Sequence, residues 1–158
     1  MGNALQIAPS GERSIRITRT FNAPRELVFD AMSRPDMMKQ WFHGPKDWRL
    51  TFCEIDLRAG GKYRWVCTNG AGEEMGIGGA YIEVKRPERI VSTELFDEPW
   101  YAGEALVTIE FTEKGKTTVM TMTILYPTMT ARDSSLASPM ASGMEALYSN
   151  LDTYLTTQ

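Results

Sequence analysis

One histidine, His43, and two cysteines, Cys53 and Cys67, are all the imidazole and thiol groups that this chain of 158 residues has. A histidine-rich metal site is excluded by that count, and the two thiols lack the spacing of zinc ligands. A Ser-His-Asp or Cys-His device would have to use His43. That residue sits in Phe42-His43-Gly44-Pro45, where glycine and proline read as a helix-ending turn, a capping or surface position. The cysteines flank the turn Asp56-Leu57-Arg58-Ala59-Gly60-Gly61. A simple hairpin puts Cys53 opposite about residue 64, several residues off Cys67, so both thiols are expected to stay reduced.

Basic clusters are also missing. The longest basic run is Lys85-Arg86, the net charge is -3 and the sequence pI is about 5.3, so neither nucleic acid nor an anionic membrane is an expected partner. No window approaches the ~18 uninterrupted apolar residues of a membrane-spanning helix. Met1 to Gly11 has no basic-then-apolar pattern, which makes a cytoplasmic location the expectation. Gly70, Gly72, Gly76, Gly78 and Gly79 precede a strand rather than a helix, so they serve turns and bulges and not a phosphate or dinucleotide loop. No cofactor and no metal are expected.

What is present suits a single folded domain: 42% hydrophobic and 23% charged residues, in a length that buries a sizeable core. Residues 1–12 read as a flexible tail and residues 13–158 as the domain. Ser14 to Thr20 alternates apolar and polar residues with β-branched side chains, the mark of a half-buried strand. Pro24 opens a short helix with Leu27, Val28 and Ala31 on one face, and Pro35 opens a second that runs to Trp41 and Phe42. Strands follow over Trp48–Ile55, Lys62–Thr68, Met75–Val84, Arg89–Phe96, Glu104–Phe111 and Thr117–Tyr126, joined by tight turns in an antiparallel meander. From about Asp133 to Thr156 the period turns helical, with one stripe of Met140, Met144, Leu147, Leu151 and Leu155, preceded by Leu136. Pro139 either begins this helix or kinks a longer one. An antiparallel sheet must bury such a stripe on one face, and a curved sheet leaves a gap beside a straight helix.

Several motifs occur in that same order. They are Phe21-x-Ala23-Pro24-x-x-x-Val28-Phe29-x-Ala31, Pro35, Trp41-Phe42-x-Gly44-Pro45, Asp56-Leu57-Arg58-x-Gly60-Gly61-Lys62-Tyr63, Gly79-x-Tyr81, Pro87-x-Arg89-Ile90-Val91 and the closing stretch Gly143 to Leu155. Over about residues 14–156 the chain resembles the SRPBCC (START-like) superfamily. Within it the resemblance is to the family named after the activator of the heat-shock-protein-90 ATPase, and to polyketide-cyclase-like relatives. The resemblance implies an α+β helix-grip fold: a curved antiparallel sheet of about seven strands wrapped on a long C-terminal helix, with two short helices after the first strand. It implies a range of activities, among them binding of lipids, hormones or polyketides, cyclase chemistry and assistance to a chaperone, so fold alone does not select one. Two departures stand out. Thr93 is followed by Glu94 and Gly143 by Met144, where relatives often carry tryptophan.

Alternation puts Tyr63, Trp65 and Cys67 on one face, and likewise Val107, Ile109 and Phe111, and Met120, Met122 and Ile124. These faces are expected to meet Met140, Met144 and Leu147, either as plain core or as a cavity wall, to which ten methionines lend adaptability. With the parity of Ile90, Ser92 and Phe96, Glu94 points inward, where a lone carboxylate must be paired, protonated or facing a wet cavity. If Glu94 lies instead at an exposed strand end, it is merely solvated. The expected ligand-binding set is Trp41, Tyr63, Trp65, Glu94, Phe111, Met122, Met140, Met144 and Tyr148. The expected partner is an apolar or amphipathic small molecule, and no catalytic residue is assigned. An enzyme of the same fold, with Glu94 and Tyr63, Tyr126 or Tyr148 converging, and a homodimer or chaperone partner stand as alternatives.

Overall fold

A computed structural model describes residues 4–43 and 47–158. The turn expected at Gly44-Pro45 lies outside the described residues. The elements are β1 (Gln6–Ser10), β2 (Ser14–Phe21), α1 (Arg25–Ala31), α2 (Pro35–Trp41), β3 (Arg49–Ile55), β4 (Lys62–Thr68), β5 (Glu74–Lys85), β6 (Arg89–Phe96), β7 (Ala105–Lys114), β8 (Thr117–Leu125), α3 (Met129–Ala137) and α4 (Met140–Leu155). The strands form one eight-stranded sheet in the order β1-β2-β8-β7-β6-β5-β4-β3, antiparallel at every pairing. The meander from β3 to β8 runs through short connections, the longest being the β6–β7 loop of residues 97–104, and the single long-range pairing is β2 with β8. This is the α+β helix-grip architecture that the family resemblance implies, with eight strands where about seven are expected.

Local chemistry explains the element ends. Pro24 caps α1 in an extended conformation and Pro35 occupies the first turn of α2, where the missing N–H costs nothing. At the β3–β4 turn Gly60 has φ 86°, and a side chain on Gly61 would run into the Asp56 carbonyl, so this glycine pair is required by the close return of the chain. The Trp41 indole donates from Nε1 to the Ala31 carbonyl at 2.9 Å, locking the end of α2 onto the end of α1. Ile15, Ile17, Phe21, Phe111, Met120 and Ile124 fill the sheet's inner face.

One expectation is corrected, and one of two open alternatives is decided. Residues 6–10 are not a loose tail but an edge strand, paired from Gln6 opposite Thr18 to Ser10 opposite Ser14. Its side chains are mostly exposed, so no apolar alternation announces it, and Pro9 is tolerated because the outer edge needs no donor. Arg132 of α3 pins the turn by donating to the Gly11 and Ser14 carbonyls at 3.0 and 2.9 Å. The C-terminal helical region is two helices, with Thr128 capping α3 through a bond from the Ala131 N–H at 3.0 Å, and a break at Ser138-Pro139. Proline has no N–H and its ring clashes with the preceding turn, so Pro139 ends one helix and starts the next rather than bending a single rod.

The buried stripe of α4 is also displaced from its expected place. Tyr148, Leu151 and Leu155 are buried, whereas Met140, Met144 and Leu147 are half-buried. Among the described residues no helix is long and apolar enough to cross a membrane.

Candidate functional site

Below α4 the inner face of the sheet does not close completely. A cavity of about 100 Å³ remains, walled by Met38 and Trp41 of α2, Phe42 behind it, Tyr63 and Trp65 of β4, Tyr81 of β5, Ile90, Ser92 and Glu94 of β6, Val107 and Ile109 of β7, Met122 of β8 and Tyr148 of α4, with Met32 beside α1. Alternation accounts for most of this wall, because residues two apart on each strand face the same side. The rings touch in sequence: Tyr63 and Trp65 are 4.8 Å apart between centroids, Tyr63 and Tyr81 5.3 Å, Phe42 and Trp65 5.8 Å, Trp41 and Phe42 5.4 Å, Trp41 and Tyr148 6.5 Å.

Of the residues singled out from sequence, Trp41, Tyr63, Trp65, Glu94, Met122 and Tyr148 come together on this wall. Phe111, Met140 and Met144 do not. Phe111 is buried further along β7, edge-on to Phe29 at 5.4 Å. Met144 lies one helical turn before Tyr148, a displacement of about 6 Å at 1.5 Å per residue, and Met140 lies about 12 Å away. They belong to the same helix as the cavity wall but not to the part that spans it. Met32, Met38, Phe42, Tyr81, Ile90, Ser92, Val107 and Ile109 were not assigned to the site from sequence. Their parity was readable, but the ends of α1 and α2 meet the sheet only through tertiary contact.

Glu94 lines the cavity as its strand parity implies. Among the described residues its carboxylate has no hydrogen-bond or ion-pair partner. Burial pushes its pKa up to about 7, because removing a carboxylate from water penalises the charged form. Its neighbours are phenols. Burial first, and the Glu94 charge second, raise the Tyr63, Tyr101 and Tyr148 hydroxyls, so these stay neutral through the physiological range. The Tyr126 hydroxyl is raised, chiefly by burial and further by the Glu94 charge.

Tyr63 holds the strand that carries Glu94. Its hydroxyl donates to the Thr93 carbonyl at 2.6 Å, and the Thr93 hydroxyl accepts from the Ala80 N–H at 3.0 Å. A side chain at Gly79 would collide with that carbonyl, so the glycine lets β6 approach β5 at this point. The carboxylate is thus fixed by a strand whose irregular backbone pairing is completed by side chains.

Other candidate chemistry is absent among the described residues. His43 is exposed and tied to α4, its carbonyl accepting from Asn150 Nδ2 at 2.8 Å. Cys53 stands opposite Trp65 and Cys67 opposite Leu50, and both thiols are free. Burial raises both thiol pKa values, that of Cys67 to about 11, which keeps them protonated and weakly nucleophilic. No cluster of potential metal ligands occurs among the described residues. A wider depression of about 750 Å³ lies between Pro35 and the β3–β4 hairpin. It is open to solvent, and its Arg58 and Asp56 satisfy each other at 3.0 Å, so it presents no convergent chemistry.

Comparison with known proteins agrees with this architecture. A family profile described as Activator of Hsp90 ATPase homolog 1-like protein matches residues 22–156. A crystal structure of a protein from Rhodobacter sphaeroides is similar with a TM-score of 0.92 and 32% identity, covering 98% of this chain and 99% of that one. A Nitrosomonas europaea protein is similar at TM-score 0.81 and 23% identity, over 94% and 97% of the two chains. The protein CalU16 of Micromonospora echinospora shares the fold at TM-score 0.62 and 18% identity, over 97% and 84%. Among curated proteins the sequence finds no significant match.

Proposed function

This chain belongs to the family of Activator of Hsp90 ATPase homolog 1-like proteins, and from its cavity we propose that it binds a small apolar or amphipathic molecule between the sheet and the C-terminal helix. The observation that carries this reading is the cavity of about 100 Å³, lined by aromatic and thioether side chains with one carboxylate. Interiors normally pack without voids larger than a water, so a space of this size beside an unpaired carboxylate is unusual for a purely structural core. Its size matters: an apolar cavity of about 150 Å³ takes benzene, so this smaller one encloses part of a ring or a group of fewer atoms while the rest of a ligand extends outward. A role beside a chaperone draws on the family description alone.

The test uses two tryptophan substitutions. Ile109 lines the cavity and is half-buried; Met144 does not line it. With fluorobenzene as probe and ¹⁹F NMR as readout, the wild type and Met144→Trp are expected to bind, and Ile109→Trp to bind at least tenfold more weakly. No binding by the wild type defeats the proposal, and equal binding by all three defeats this placement of the site.

A second reading, a cyclase- or hydrolase-like enzyme, has one observation in its favour. Glu94 stands in a cavity with its pKa raised to about 7, the range suited to general acid–base work. Of the phenols that face it, Tyr63 is already engaged with Thr93, Tyr148 lines the cavity, and the Tyr101 hydroxyl is buried with no hydrogen-bond partner among the described residues. Turnover lost in Glu94→Gln with ligand binding retained would favour this reading.

A further inference from the structure

We propose that the cavity receives the charged head of a small organic cation, a protonated amine or quaternary ammonium group, held between Glu94 and the surrounding aromatic rings. The inference rests on the binding reading above and names its ligand class. Its first support is the charge of the lining. Glu94 is the sole charged residue on the cavity wall, and no lysine, arginine or histidine stands beside it there. Buried carboxylates are as a rule paired or hydrogen-bonded, because an isolated charge in a poorly solvated place is costly. Glu94 is half-buried on the cavity wall and has no partner among the described residues, so its carboxylate is free to pair with a cation that enters.

The second support is what surrounds the carboxylate. Trp41, Phe42, Tyr63, Trp65, Tyr81 and Tyr148 supply π-electron density, and Trp65 and Tyr63 lie only 4.8 Å apart. A cation within about 6 Å of such rings is attracted by their quadrupoles, most strongly where water is excluded. An anion would meet the carboxylate and these same electron-rich faces with no cation to offset them. A neutral apolar group would fit the rings but leave Glu94 unpaired. A hard metal ion is a poor candidate, since calcium or magnesium needs about six oxygen ligands and the wall supplies one carboxylate, one serine and three protonated tyrosine hydroxyls. The volume agrees with a head group of few atoms rather than a whole amphiphile.

Protonation gives the proposal a signature. The carboxyl is held up near 7, and a bound cation favours its ionised form, so binding releases a proton near neutrality and tightens as pH rises from about 6 to 8. The groups that face Glu94 from the packed elements are Tyr63, Tyr126 and Tyr148, with Tyr101 in the β6–β7 loop; their raised hydroxyls do not titrate in that window. Glu104, at the start of β7, is exposed.

Calorimetric titration of the full chain decides it, with choline chloride compared with its uncharged isostere 3,3-dimethylbutan-1-ol at constant ionic strength. At pH 8 choline is expected to bind roughly tenfold more tightly than the isostere, and that preference is expected to shrink severalfold at pH 6. Glu94→Gln is expected to abolish the preference while leaving binding of the isostere in place. Trp65→Leu, at a half-buried wall position, serves if Glu94→Gln does not fold, and is expected to weaken choline more than the isostere. Equal or tighter binding of the isostere by the wild type overturns the cation assignment and leaves the cavity reading standing. Failure of choline, the isostere and fluorobenzene alike to bind overturns both.

Discussion

Glu94 shows how one side chain alters the stability of the whole chain. Its pKa is raised from 4.5 to about 7 because the folded protein strips water from it. The folded state therefore holds a proton that the unfolded state gives up across this interval. Stability falls as pH rises from about 4.5 to about 7 and is lowest above it, the reverse of a carboxylate with a depressed pKa. Removing the charge removes the penalty. Glu94 is half-buried, so solvent screening reduces the effect: Glu94→Gln is expected to raise stability at pH 8 by about 1–2 kcal/mol, and to change little below about pH 4.5. Urea unfolding at both pH values checks the sign, and a variant less stable than wild type at pH 8 contradicts the buried, unpaired placement. Alternation along β6 was enough to read the inward direction of Glu94. The same alternation through Ile15, Ile17 and Phe21 puts Arg19 inside as well, where it is 4% exposed and sits over the Phe21 ring at 5.1 Å. That placement was not drawn from the sequence, because a charged residue on an apolar face invites the assumption that it escapes to solvent.

On the scale of elements, α4 carries the sharpest contrast between pattern and packing. Its 3.6-residue period identifies the buried side, but the period is the same at every turn and does not say which turn meets the sheet. Docking places Tyr148, Leu151 and Leu155 in the interior and leaves Met144 half-buried. Leu151 is fully buried, so Leu151→Ala is expected to cost about 2–5 kcal/mol, the range for large-to-small changes in a packed core. Met144→Ala is expected to cost about 1 kcal/mol, nearer the ordinary value for a partly exposed position. Equal losses in thermal unfolding would restore the longer stripe. The break between α3 and α4 follows the same logic: Pro139 signalled a boundary, while the independent docking of α3 against β2 through Arg132 came from contacts distant in sequence.

At the scale of the molecule, the sheet has two free edges, β1 and β3. β1 is short and mostly exposed, and it shields β2, whose inner residues Ile15, Ile17 and Phe21 are fully buried. Removing residues 1–10 exposes an eight-residue strand as the new edge, a ready template for pairing with another chain. The truncated protein is expected to associate with rising concentration while the full chain does not, as followed by light scattering. A truncated chain that scatters like the full one shows that β1 has no guarding role. The amino-acid sequence by itself determined most element types, the antiparallel meander and the inward parity of Tyr63, Trp65, Glu94 and Met122, because periods of 2 and 3.6 and the turn chemistry of glycine and proline are local properties; the helix-grip architecture was implied by the resemblance of its motifs to a known family. Only the tertiary structure decided that residues 6–10 pair as a strand, that Tyr148 rather than Met144 spans the cavity, and that Trp41, Phe42 and Met38 close it. Those outcomes depend on how far along its axis each element docks, a matter of packing between residues far apart in the chain that no local period encodes.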